Sequence, residues 1–104
     1  MSDKHFGAGF DELQATDNFK HLHLARENGT EKITLDNIPG KQASVKILYN
    51  ITNDSIISSN EAQHGLALYG DYTQEEKEKP GAHPNIRLLM DIIKNNESWK
   101  VEAE

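Results

Sequence analysis

Two alternating runs joined by an Asn-Gly pair constrain this chain more than any other feature in it. From Phe19 the side chains alternate with period two, with Phe19, His21 and His23 on one side and Lys20, Leu22 and Leu24 on the other. Glu27-Asn28-Gly29-Thr30 follows, and Asn-Gly is the pair favoured by type I′ turns, in which both central residues take positive φ. Ile33 and Leu35 then face one way while Lys32, Thr34 and Asp36 face the other. A β-hairpin is predicted, with strands at about residues 19–26 and 30–38.

Pro39-Gly40 closes that unit. In the next stretch Ala43, Val45, Ile47, Tyr49 and Ile51 alternate as a strand would, yet Ala43, Ile47, Leu48 and Ile51 also form one helical face. Periodicity alone leaves both readings open. Asn53-Asp54-Ser55 reads as a turn and Ile56-Ile57 as a brief strand. Ser58-x-x-Glu61 has the form of a capping box, so a helix is predicted over 59–77. Ala62, Leu66, Tyr69 and Thr73 would face inward at spacings of four, three and four, and Gln74 to Lys79 would form a solvated charged end. Pro80-Gly81 stops the helix, and Pro84, whose missing N–H costs nothing in a first turn, starts another over 84–95. Ile86, Leu89, Met90 and Ile93 make its inner stripe, Leu88 and Ile92 widen it, and Arg87 and Asp91 stand four apart as a surface pair. Asn95-Asn96 can take the left-handed conformation that ends a helix. Trp99 and Val101 then alternate with Lys100 and Glu102 as a closing strand at 98–102. Near the start, Phe6, Phe10 and Leu13 fall at the spacing of a short amphipathic helix. The expected fold class is α+β: a small antiparallel sheet, made of the β-hairpin plus a C-terminal strand, covered by three or four helices, in one domain over residues 1–104. Leu66, Tyr69, Ile86, Leu89, Met90 and Ile93 are the expected core.

Composition narrows the function. The chain has 104 residues, 36% of them hydrophobic, and a formal net charge of −6. Nucleic-acid affinity comes mainly from lysine and arginine, so a nucleic-acid partner is not expected. No apolar run approaches a membrane span and the opening Met-Ser-Asp-Lys-His-Phe lacks the layout of a secretory signal, which leads to a cytoplasmic expectation with no membrane partner. With no cysteine, a disulfide scaffold, a thiolate zinc site and a cysteine nucleophile are excluded.

Candidate chemistry is sparse. His21 and His23 leave one face of a strand, but a structural zinc site takes about four ligands and spacing marks no third, so no metal is expected. Glu75, Glu76 and Glu78 beside Asp71 form a charge run of the kind that usually covers a solvated helix end. No nucleophile elbow, phosphate loop or dinucleotide fingerprint occurs, and no cofactor is called for. The local cluster that stands out is the start of the last helix. His83 at the cap, Asn85 in the first turn and Arg87 one turn later could hold an anion at the helix N-terminus, with Tyr69, Tyr72 and His64 as further lining. The competing reading is architectural, with these residues serving as cap and turn.

The strings Gly65-Leu66-Ala67-Leu68-Tyr69, Thr73 and Pro80-Gly81-Ala82-His83-Pro84-Asn85-Ile86 resemble the pattern Gly-Leu-x-Leu-Tyr-x-x-x-Thr, then Pro-Gly-x-His-Pro-Asn-Ile, of a family of short uncharacterised bacterial proteins, a domain of unknown function. The family pattern has Glu-His before the threonine, where this chain has Asp71-Tyr72, and an acidic residue where it has Arg87. The resemblance implies a helix rather than a strand over 43–52. A sugar-phosphate amidotransferase label attached to similar proteins would need a cysteine nucleophile, which is missing. Two functions follow as expectations. The first is a non-enzymatic protein-interaction or accessory and regulatory domain. The second is a protein that binds a small anion or phosphorylated metabolite at the start of the last helix, with enzymatic activity left open. The partners in view are therefore a protein, a small anionic ligand or further copies of the chain in a homo-oligomer.

Overall fold

In a computed structural model that describes residues 5–104, a four-stranded antiparallel sheet lies against four α-helices. The opening Met1 to Lys4, where no leader is expected, lies outside the described residues. The hairpin comprises β1 (His21–Arg26) and β2 (Lys32–Asp36). Helix α1 (Gln42–Asn50), strand β3 (Ile56–Ile57), helices α2 (Ser59–Tyr69), α3 (Asp71–Glu78) and α4 (Pro84–Asn95), and strand β4 (Trp99–Ala103) follow. The strand order is β2-β1-β4-β3, so the last strand is inserted beside the first. Leu24 pairs with Ile33 on one side and with Val101 on the other.

Period-two alternation decides the faces. Leu22, Leu24, Trp99, Val101 and Ile57 point into the helix layer and are buried, whereas His21, His23, Lys32, Thr34, Asp36, Lys100 and Glu102 stand on the uncovered face. Burying such side chains is worth roughly 1.5–3 kcal/mol each, the main return for ordering the chain. The helices supply Val45, Ile47, Leu48, Ile51, Ala62, Leu68, Tyr69, Ile86, Leu89 and Ile92 to the same core. The stretch expected as a helix over 43–52 is helical to Asn50, and the capping box is formed, with Glu61 accepting the Ser58 backbone N–H at 2.9 Å and the Ser58 hydroxyl. Asn96 ends α4 in the left-handed conformation (φ 52°), with Glu97 N–H donating to the Ile92 carbonyl at 3.0 Å.

Four expectations are corrected. Asn28 and Gly29 do not take positive φ, so the hairpin loop is not type I′. Gly29 N–H instead donates to Arg26 O at 3.3 Å in a four-residue connection. Paired positive φ values occur at Asp54 and Ser55 (53° and 64°), between Asn53 and Ile56, whose backbones exchange bonds of 2.9 and 3.0 Å. The helix predicted over 59–77 is broken in two at Gly70 (φ 60°, ψ −123°). Its Cβ would fall 2.5 Å from the carbonyl oxygen of His5, because the N-terminal strap of residues 5–10 crosses the break and is held by Gly7 N–H to Leu68 O at 2.8 Å. Leu66, Met90 and Ile93 are only half-buried at the margin of the core, while their neighbours Leu68 and Ile92 are fully enclosed. Around Phe10 the strap makes a 3₁₀ turn, Phe10–Glu12, in place of the expected short amphipathic helix.

Candidate functional site

Gly70 redirects the chain so that α3 presents Tyr72, Glu75 and Glu76 to the turn that precedes α4. Glu76 belongs to the run expected to be a solvated end, yet it is fully buried. Its carboxylate accepts the backbone N–H of Gly81 at 2.8 Å, that of His83 at 2.6 Å and Arg87 Nε–H at 2.9 Å. The Gly81 N–H above all holds its pKa below the usual 4.5, helped by His83 and the Arg87 guanidinium and opposed by burial. The start of a helix favours an anion, and here the chain's own carboxylate stands beside it. Arg87 accordingly pairs with Glu76, adding a 3.4 Å bond to the Glu76 carbonyl, in place of the expected surface pair with Asp91.

On the other side of that turn the His83 ring sits with Nε2 2.5 Å from Glu75 Oε1 and its edge against the Tyr72 ring, 5.6 Å between centroids at 83°. A neutral ring donating its Nε2 proton to Glu75 leaves Nδ1 as an acceptor. Tyr72 meets Phe6 at 4.9 Å, and Phe6 stacks on Phe10 at 4.1 Å and 9°. Tyr69, at the end of α2, donates its hydroxyl to Ser44 Oγ on α1 at 2.8 Å, and burial pushes its pKa up to about 12.

These groups line one cleft of about 250 Å³, bounded by Phe6, Gly40, Ala43, Ser44, Tyr69, Tyr72 and His83. A second depression of about 400 Å³ shares Phe6 and Ala43 and continues past Phe10 to Lys46, whose ammonium lies 5.4 Å from the Phe10 ring centre. Of the residues singled out in the sequence, Tyr69, Tyr72 and His83 come together in the cleft. Arg87 is turned to Glu76, Asn85 is half-buried in the first turn of α4, and His64 is exposed on α2, none of the three lining the cleft. Ser44 and Phe6 were not singled out. The signal for Ser44 was present in Gly40-x-x-Ala43-Ser44, a run of small residues that lets other groups approach the start of α1. The signal for Glu76 was the stripe Ala62, Leu66, Tyr69, Thr73, which a further step of three extends to residue 76.

On the uncovered face of the sheet, His21 Nδ1 meets Asp36 at 3.1 Å, while His23 meets Thr34 at 3.0 Å and Glu104 at 3.1 Å. Among the described residues no group of three or more His, Asp or Glu side chains is arranged to hold a metal ion, and no helix is long and apolar enough to cross a membrane. No curated protein and no solved structure matches the chain. The profile of a family of uncharacterized proteins conserved in bacteria, DUF2322, matches residues 6–103, and the chain belongs to that family.

Proposed function

We propose that this protein binds a small metabolite in the cleft between the start of α1 and the α2–α3–α4 corner. The ligand is a planar ring carrying a hydroxyl, carboxylate or phosphate head group. The observation that carries this reading is the convergence of Ser44, Tyr69, Tyr72 and His83, drawn from separate helices and the α4 cap, on one concavity. The aromatic faces of Phe6 and Tyr72 suit a flat ring. The Tyr69–Ser44 pair and His83 supply the few placed polar groups that fix orientation in such sites. Arg87 acts from behind, holding Glu76 and with it the backbone of the turn that carries His83. An interface built on a broad apolar patch is less well supported, because Ile38 is the single large apolar side chain exposed among the described residues.

Titration with benzoate, phenyl phosphate and inorganic phosphate, followed by amide chemical shifts, tests the reading. The ring-bearing probes are expected to move residues 40–46, 69–72 and 81–84. Tyr69→Phe is expected to weaken them by roughly two- to tenfold, the worth of one hydrogen bond. Phosphate alone moving residues 83–88 would transfer the site to the α4 start itself. No movement in either set with any probe at millimolar concentration would sink the ligand reading.

A further inference from the structure

The sheet has two edges of different character. On one side β3 is two residues long, and β2 on the other is five. Arg26 N–H donates to Glu31 O at 3.0 Å and Asn37 N–H to Lys20 O at 2.9 Å, so the odd residues of β2 turn their backbones to β1. The N–H and C=O groups of Lys32, Thr34 and Asp36 therefore point away from the sheet. Among the described residues none bonds to them, and a row of unpaired donors and acceptors is a template for another strand. Native edges are commonly blunted by proline, a bulge, a covering loop or charged side chains; β2 contains no proline and pairs in unbroken register from Lys32 to Asp36, and its charges, Lys32 and Asp36, are of opposite sign and so can pair across a second strand instead of repelling it.

We infer that β2 pairs with β2 of a second copy of this chain, antiparallel and about a two-fold axis through Thr34, joining two sheets into one of eight strands. The side chains select the partner and the register. With Thr34 opposite Thr34, Lys32 falls opposite Asp36 of the second copy and Asp36 opposite its Lys32, an opposite-charge cross-strand pair formed twice. On the helix-side face Ile33 falls opposite Leu35 of the second copy, and both residues are half-buried in the single chain, with area left to cover. Sliding the register by two residues in either direction removes the charge match. The centred register forms about six inter-chain backbone hydrogen bonds. The two-fold makes the contact isologous and closed, so it stops at a dimer. Ile38, 47% exposed, lies two residues past the end of the strand and adds apolar surface beside the seam.

Sedimentation equilibrium and light scattering on the full chain test this directly. The wild type is expected at about twice the 11.7 kDa chain mass. Lys32→Asp places carboxylates opposite one another, and Asp36→Lys places ammonium groups opposite one another. Each is expected to raise the dimer dissociation constant by roughly tenfold or more. The double variant K32D/D36K restores the opposite pairing and is expected to recover the dimer, which a general loss of folding would not do. Circular dichroism follows the fold of each variant. A wild type that stays at the mass of one chain from micromolar to millimolar concentration would overturn the inference. So would a dimer indifferent to both single reversals, since it would use another surface, or single reversals that fold but are not rescued by the double variant.

Discussion

Arg87 Nε lies 2.9 Å from Oε2 of Glu76, and the carboxylate it meets is fully buried while the arginine is 38% exposed. The pair therefore joins the interior of α3 to the surface of α4 through the turn that carries His83. Replacing Glu76 with glutamine keeps the shape but removes the charge from three donors. Thermal melts are expected to show a loss of roughly 5 °C or more. Arg87→Met strands a buried carboxylate and is expected to cost a similar amount, and the double variant E76Q/R87M less than the sum of the two. Additive losses would show that the two residues act separately.

Acid sensitivity follows from the same carboxylate. Glu61, Glu76 and Glu104 are each held below the ordinary 4.5, by the Ser58 hydroxyl, the Gly81 N–H and the His23 ring respectively. A carboxylate with a depressed folded-state value stabilises the fold above its unfolded value, and that contribution is lost as pH falls through the folded one. Urea midpoints are therefore expected to be level above about pH 5 and to fall steadily below pH 4.5. E76Q should flatten that fall, and an unchanged slope would remove Glu76 from the account.

Tyr69 behaves in the opposite sense. Its folded value near 12 exceeds the ordinary 10, so it stabilises the fold at neutral pH and loses that contribution as pH rises through 10 toward 12. Ultraviolet titration is expected to show one tyrosine ionising late, and Tyr69→Phe should abolish that late step. Ser44→Ala removes the hydroxyl's partner and is expected to cost about 1 kcal/mol of stability by chemical denaturation.

The crossing of the N-terminal strap over Gly70 leaves no room for a side chain on either backbone. Gly7 with a Cβ would collide with the Ala67 carbonyl at 1.8 Å, and Gly70 with one would collide with His5 O at 2.5 Å. Gly70→Ala is expected to destabilise by roughly 2 kcal/mol or more through positive φ and this clash together. Faster hydrogen exchange at Gly7 and Leu68 would locate the damage, and unaltered exchange there would not fit.

At Asp54-Ser55 two residues with side chains hold the left-handed conformation that Asn-Gly adopts more readily. The double substitution D54N/S55G is expected to stabilise the protein by about 1 kcal/mol, read as a higher denaturation midpoint. A lower midpoint would mean that the side chains of Asp54 and Ser55 do more than bridge a turn.

Elements whose signal lies within a few neighbours were legible in the residues alone. The Ser58–Glu61 box, Pro84 at the first position of α4 and the left-handed Asn96 are local devices, and each stands where the sequence points. Residues 43–52 carried two periods at once; the chain is helical over Gln42–Asn50 and buries Leu48, which period two would have turned outward, together with Val45 and Ile47, in the direction the family resemblance implied. The errors came from distance in sequence. Gly70 breaks the helix because residues 5–7 need passage there, and nothing between 59 and 77 announces that. Glu76 is buried because Gly81, His83 and Arg87 fold back over it, so its charge, read in its own run, pointed to solvent. The cleft was half legible: Tyr69, Tyr72 and His83 were named together, whereas Ser44 and Phe6 come from parts of the chain that only the tertiary fold brings near.

The strand order gives β1 two neighbours with very different histories. β2 is reached across a four-residue loop, so the hairpin can close within microseconds. β4 meets the same strand only when residue 99 finds residue 26, with every helix lying between them in the chain. Closing so long a span costs entropy before Trp99 and Val101 are buried, so the junction of β1 with β4 is expected to form after the hairpin, an order that pulse-labelling hydrogen exchange at residues 99–103 would check. Until it closes, the hairpin shows Leu22 and Leu24 with no strand on their far side. The interval in which this chain is most prone to aggregate is therefore set by the arrival of its final strand.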